Sequence, residues 1–177
     1  MARVTLTEPA ELTGFLAELH ENAAETDWST RHVARAFARQ PQLLEDYLGF
    51  YYRWHRSDGV GELEPRLKEL VRLRIATLNG CMTCKAARLD PSISQEEGDF
   101  GVDDPEHPFG PRERAAITFA EKMAVDHFAI DDRMIRELRE HFSEAEVLEL
   151  MMLTGQYIGF GRMLAILQLE EVACPIA

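Results

Sequence analysis

Apolar residues recur along most of this chain at three-to-four spacing, and no segment sustains the period-two alternation that a half-buried strand requires. The pattern predicts helices almost throughout. Thr7 reads as the cap of a first helix through His20, with Pro9 and Glu11 in its opening turn and Leu12, Phe15, Leu16 and Leu19 on one face. A second helix starts at Ser29 or Thr30 and ends before Pro41. From Pro41, residues Leu43, Leu44, Tyr47, Leu48, Tyr51 and Trp54 form an apolar stripe that stops at the turn signal Ser57-Asp58-Gly59. His55, at the end of that stripe, reads as a solvated or capping residue before it reads as a catalyst.

Pro65 opens the next helix, which carries Leu67, Leu70, Val71, Leu73, Ile75 and Leu78 before Asn79-Gly80 terminates it. The break puts Cys81 at the start of a short helix to about Leu89, ahead of Asp90-Pro91. Residues 91 to 111 are rich in Pro, Gly and acid and read as a long exposed loop, either solvated surface or a lid over a nearby site. Pro111 starts a helix to about Phe128, a shorter one follows Asp131, and Ser143-Glu144-Ala145-Glu146 is a capping box for a last helix ending near Val172. Met151 to Leu167, the longest apolar stretch, contains Gln156 and Arg162, falls short of the roughly 20 residues of a membrane span, and reads as a buried core helix. Gly155, Gly159 and Gly161 cost that helix propensity, which implies close approach of another helix, within the chain or across a subunit interface. With no internal repeat or boundary in composition, residues 1–177 read as a single all-α domain, a helical bundle.

Size and charge narrow the functions. A chain of 177 residues with 46% hydrophobic residues can bury a core without disulfide staples or metals. Nineteen Lys and Arg against thirty-one Asp and Glu give a formal charge of −12, which argues against nucleic acid, anionic membrane surfaces and polyanionic substrates. The first residues lack the apolar run of a secretory signal, so the expected location is the cytoplasm. There, three cysteines do not make a static disulfide framework. Cys174, beside Pro175, reads as a plain free thiol.

One constellation stands out, Cys81-Met82-Thr83-Cys84, directly after a helix stop and at a helix start. Thiols at this spacing can reach one another, and the unpaired amides and dipole of a helix N-terminus favour a thiolate. Such a pair suits attack on a peroxide or disulfide followed by internal resolution. A zinc site would need two further ligands at sensible spacing, and neither a second Cys pair nor a paired His motif is present; two merely buried thiols are the plainer alternative. Glu69 interrupts the apolar face of the preceding helix. It reads either as a partly desolvated acid, with a raised pKa suited to proton transfer with a thiol, or as an exposed surface carboxylate.

The segment from Pro65 to Arg88 resembles the carboxymuconolactone decarboxylase superfamily in its alkylhydroperoxidase D-like branch, and the likeness extends more weakly over about residues 35–170. That branch carries a Glu, eleven residues, Cys-x2-Cys, three residues and a His; Glu69, Cys81 and Cys84 match in register. The resemblance implies an all-helical bundle of the alkylhydroperoxidase D-like type, assembled as a homo-oligomer (dimer, trimer or hexamer). It implies thiol-dependent reduction of a small hydroperoxide, with Cys84 attacking, Cys81 resolving and Glu69 in a proton relay. It further implies an external dithiol reductant, such as a lipoyl group on a carrier protein; no bound cofactor or metal is expected. Arg88 stands where the branch has its relay His, and Thr83 where some members have another. A guanidinium cannot cycle a proton at neutral pH, so Arg88 either holds Cys84 as a thiolate across one helical turn or is a surface arginine. His127 and His141 are the remaining candidates to replace the histidine.

The leading expectation is a thiol-disulfide oxidoreductase with alkylhydroperoxidase, peroxiredoxin-like activity. Two alternatives stand beside it: a lyase of the carboxymuconolactone decarboxylase kind, which does not rely on a Cys pair, and a non-catalytic redox-sensing oligomer whose pair toggles subunit contacts.

Overall fold

The computed structural model of the chain describes residues 2–25, 27–55, 59–81, 84–85, 87, 89–90, 93 and 109–169. Among these residues the chain is helical and contains no strand, as the hydrophobic spacing requires. A 3₁₀ turn (Pro9–Glu11) precedes α1 (Gly14–Asn22), and α2 (Trp28–Ala36) runs into a second 3₁₀ turn (Phe37–Arg39). There follow α3 (Pro41–His55), α4 (Pro65–Asn79), α5 (Pro111–Val125), a 3₁₀ turn (His127–Ala129), α6 (Asp132–Arg139) and α7 (Glu144–Leu167).

The first helix departs from expectation. Leu12 and Thr13 take extended backbone and Gly14 has φ +54°, so the turn holding Pro9 and the helix after it are separate pieces. Left-handed backbone at Gly14 cannot lie inside a right-handed helix. Further on, Asp27 rather than Ser29 caps α2, its carboxylate accepting the Thr30 amide at 3.0 Å.

The chain forms two compact units, Met1–Tyr51 with Met163–Ala177, and Tyr52–Arg162. In the first, α1 packs on α2, with Leu16, Val33, Ala34, Leu44 and Leu48 buried. The leading segment is stitched on by paired bonds between Thr7 and Arg35, the guanidinium Nε donating to the Thr7 carbonyl at 2.7 Å.

The second unit is built on α4 packed against α5. Leu70 and Leu73 meet Ile93, Phe109 and Ile117 in one apolar cluster. Ile93 and Phe109 belong to the stretch expected as exposed loop, and both are buried; most of the rest of that stretch lies outside the described residues. All seven residues from Leu67 to Leu73 are buried, three of them charged. A helix enclosed on every side forces its ions to find partners in the interior. Lys68 Nζ donates to the carbonyls of Trp54 (2.7 Å) and Val60 (3.2 Å) and pairs with Glu149 Oε1 at 2.8 Å. Glu149 Oε2 in turn accepts the Glu62 amide at 2.7 Å. The carboxylate lies against Gly61, whose φ of +110° and lack of a side chain let it approach.

The predicted capping box opens α7: the Ser143 amide donates to Glu146 Oε2 at 2.7 Å and the Glu146 amide to Ser143 Oγ at 3.2 Å. The helix stops at Leu167, before Gln168 at φ +52°, earlier than Val172. Its description as a buried core helix needs correction. At 24 residues it is long and apolar enough to cross a membrane, and only 33% of its most apolar window is buried. Val147, Leu150, Leu153, Thr154 and Tyr157 face inward, whereas Leu148 and Met152 are exposed. The inward contacts are those of a bundle helix and are compatible with a soluble protein. The expected close approach occurs at Gly161, where an added Cβ would lie 2.6 Å from Asn79 Nδ2. That amide donates to the Tyr157 carbonyl at 3.2 Å, so the tight contact joins α7 to the end of α4 within the chain.

Removing one partner of a buried ion pair leaves an uncompensated charge. Lys68→Met is therefore expected to lower unfolding free energy by about 3–5 kcal/mol in urea titrations. The double variant Lys68→Met with Glu149→Leu should recover most of that loss, and failure to recover would mean that the pair is not the cause.

Candidate functional site

The end of α4 sets the position of the cysteines. Gly80, at φ +67°, closes the helix with the Gly80 amide on the Thr77 carbonyl (3.1 Å) and the Cys81 amide on the Ala76 carbonyl (2.9 Å). This is the paired Schellman arrangement that an Asn-Gly stop favours, and it ties Cys81 directly to the last turn. The next turn starts on Cys81: its carbonyl accepts the Lys85 amide at 3.0 Å and its Sγ accepts the Cys84 amide at 3.1 Å. Cys81 and Cys84 are joined as a disulfide with Cα atoms 5.3 Å apart, within the ordinary range for such bonds. Cys81 is fully buried, and Cys84 is partly exposed.

Beneath the pair lies Glu69, with no exposed surface. Arg72, one turn on, grips it with two parallel bonds, Nε to Oε2 and Nη2 to Oε1, each 2.7 Å. The Leu89 amide donates to Oε1 at 3.0 Å, and His55 Nε2 lies 3.0 Å from Oε2. His55 Nδ1 is 2.6 Å from the Tyr157 hydroxyl. Arg72 also donates from Nη1 to the Cys84 carbonyl and from Nη2 to the Ala87 carbonyl, both at 2.7 Å.

Three expectations are corrected by this geometry. The surface reading of Glu69 fails, and so does the raised pKa expected of its buried form. Burial pushes the carboxyl up, but the bonds from Arg72, His55 and Leu89 outweigh it and hold the pKa down to about 2. Glu69 is thus a fixed anion at neutral pH. His55, read as solvated, is 2% exposed and sits inside this network. Burial lowers its pKa below 6.5, with Arg72 and Lys68 adding to the effect against the pull of Glu69. The neutral imidazole then donates from Nε2 to Glu69 and accepts at Nδ1 from Tyr157, which fixes its tautomer.

Of the sequence candidates, Glu69, Cys81 and Cys84 come together, linked through Arg72. Arg88 and Cys174 lie outside the described residues. His127 and His141 are both exposed. Sequence reasoning missed Arg72 and Tyr157 and gave His55 the wrong environment. The i,i+3 spacing of Glu69 and Arg72 was the one available signal. Among the described residues no group of three or more His, Cys, Asp or Glu could hold a metal ion.

No family model and no curated protein matches the chain. Solved structures do. The chain is similar to the alkylhydroperoxidase AhpD core of an uncharacterized peroxidase-related protein from Ralstonia eutropha JMP134, with TM-score 0.73 and 18% identity over 96% of this chain and 91% of that one. A peroxidase-related protein from Silicibacter sp. TM1040 matches at TM-score 0.71 and 19% identity, covering 98% and 96% of the two chains. A protein of unknown function from Agrobacterium tumefaciens matches at TM-score 0.61 and 20% identity, covering 80% and 96%. The fold is that of the alkylhydroperoxidase D core, as the resemblance in sequence implied.

The site makes the fold sensitive to acid. A carboxyl whose folded pKa lies below its unfolded value binds protons more readily in the unfolded chain, so its contribution is complete above about pH 4.5 and is lost as pH falls toward 2. His55 acts in the same direction, beginning below its ordinary 6.5. Wild-type protein is expected to lose roughly 3 kcal/mol through Glu69 over that range. Glu69→Gln should start less stable at pH 7 and show a flatter decline between pH 5 and pH 2. Parallel curves for the two proteins would rule out Glu69 as the acid-labile group.

Proposed function

We propose that this protein is a thiol-dependent oxidoreductase that reduces small hydroperoxides through Cys84 and Cys81. The observation that carries the reading is the joined pair at a helix entrance, with Cys81 sealed in the core and Cys84 partly exposed. That asymmetry supports Cys84 as the attacking thiol, since it is partly exposed, and the buried Cys81 as the resolving one. The likeness to structures named for alkylhydroperoxidase and peroxidase-related proteins supports the same reading.

In the reduced protein the Cys84 thiolate attacks the terminal oxygen of a hydroperoxide, the O–O bond breaks, and the departing alkoxide takes a proton to leave as alcohol. Cys84 is then a sulfenic acid. Cys81 sulfur attacks it, the new S–S bond forms, and hydroxide leaves with the Cys81 proton as water. One hydroperoxide gains two electrons and two thiols lose them. An external dithiol, of which a lipoyl group on a carrier protein is one kind, restores both thiols by exchange. Glu69 takes part as a fixed charge below the pair. The protein works as a cytoplasmic homo-oligomer in this proposal.

Reduced protein mixed with cumene hydroperoxide in a stopped-flow instrument should lose two thiols for each peroxide consumed. Cys81→Ser should consume one peroxide and retain a sulfenic acid that dimedone labels, and Cys84→Ser should not react. Unchanged peroxide consumption in Cys84→Ser, or none in wild type, would end the proposal.

A further inference from the structure

We propose that Arg72 is the positioning residue of the dithiol turn: anchored on Glu69, its guanidinium holds the Cys84 and Ala87 carbonyls and keeps Cys84 within closing range of Cys81. The inference rests on the thiol-redox reading above and adds to it a residue that the cysteine motif does not contain.

Four bonds of 2.7 Å define the device, two to the Glu69 oxygens and two to the backbone carbonyls of Cys84 and Ala87. Only a planar fork with several donors in fixed directions can span a carboxylate on one side and two carbonyls on the other. The Arg72 side chain is 6% exposed and Glu69 is fully enclosed, so solvent hardly competes for these donors. A helical turn as short as the one that begins at Cys81 has little stability of its own. Its carbonyls are held from below, and the Leu89 amide is drawn to the same carboxylate at 3.0 Å. The turn is thereby fastened at Cys84, Ala87 and Leu89, while Cys81 is fastened separately by its amide on Ala76.

Fastening both ends raises the effective concentration of one thiol at the other, which favours closure of the disulfide. The affected equilibrium is thiol-disulfide exchange: two protein thiols and oxidised dithiothreitol give the protein disulfide and reduced dithiothreitol, with two electrons and two protons passing to the reagent. Loosening the turn should shift this balance toward the open thiols and raise the reduction potential.

The test equilibrates full-length protein with dithiothreitol couples of varied ratio and counts free thiols by alkylation and mass spectrometry. Arg72→Lys keeps the charge but loses the fork. Arg72→Met combined with Glu69→Gln removes both ions, so no lone charge is left buried to prevent folding. Both variants are expected to lower the closure constant about tenfold, a rise of about 30 mV in potential. Arg74→Met, on the same helix but paired with Glu121 away from the turn, is expected to leave the constant unchanged. A fall of less than about threefold in the folded double variant, or an equal fall in Arg74→Met, overturns the proposal. The readout needs no peroxide turnover, so a failed peroxidase assay leaves this result standing, and an unmoved potential leaves the peroxidase reading standing.

Discussion

A carboxylate with no access to water, set in a helix that is buried on every side, governs the architecture of the second unit. Desolvating an ion of this kind costs several kcal/mol unless strong partners surround it. Glu69 draws those partners from three places: Arg72 on its own helix, His55 at the end of α3, and the Leu89 amide beyond the cysteines. Each of these partners comes from a different part of the chain. His55 brings Tyr157 of α7 with it, and the Leu89 amide donates to the same ion. Arg72 has donors to spare once the carboxylate is satisfied, and they reach the cysteine turn. The dithiol turn is thus tied at Cys84 to the residue that neutralises the buried charge.

What could be read from the sequence divides by the range of the interaction. Gly80, Asp131, Ser143 and Glu146 act on amides or carbonyls within a few residues, so their roles were visible in the spacing and the structure reproduces them. The position of Cys81 after a helix stop was legible for the same reason. His55 was not, because its partners are 14 and 102 residues away and the end of an amphipathic stripe ordinarily faces water. Nor did periodicity resolve α7. A helix apolar on nearly all sides gives no signal for which face turns inward, and Leu148 and Met152 turn outward. At the start of the chain, Thr7 and Pro9 carried a plausible helix signal that the backbone at Leu12, Thr13 and Gly14 overrode.

The sign of the Glu69 shift shows a deeper limit. An apolar helix face reveals that a carboxyl is desolvated, and desolvation alone raises its pKa. Whether donors converge on it is a tertiary fact. Here four of them do, and their combined effect outweighs burial. A relay acid must exchange its proton near the working pH, and a group held near 2 cannot. Glu69 thus stands in an electrostatic setting that suits anchoring.

Lys68 and Glu69 are neighbours in sequence, and each heads a buried ion pair, with Glu149 and with Arg72. Among the described residues these two buried pairs balance, two cations against two anions, while the chain total is −12. Burial, with the Arg72 and Lys68 cations adding to it, lowers the His55 pKa despite a carboxylate 3.0 Å away. A proton on the imidazole would add a further buried charge beside a carboxylate whose two oxygens Arg72 already holds. The same reasoning separates the two pairs in purpose. Lys68 and Glu149 are bonded to backbone at Trp54, Val60 and Glu62 and secure the approach to α4. Arg72 and Glu69 are bonded to backbone at Cys84, Ala87 and Leu89, so the second pair borders the cysteine turn.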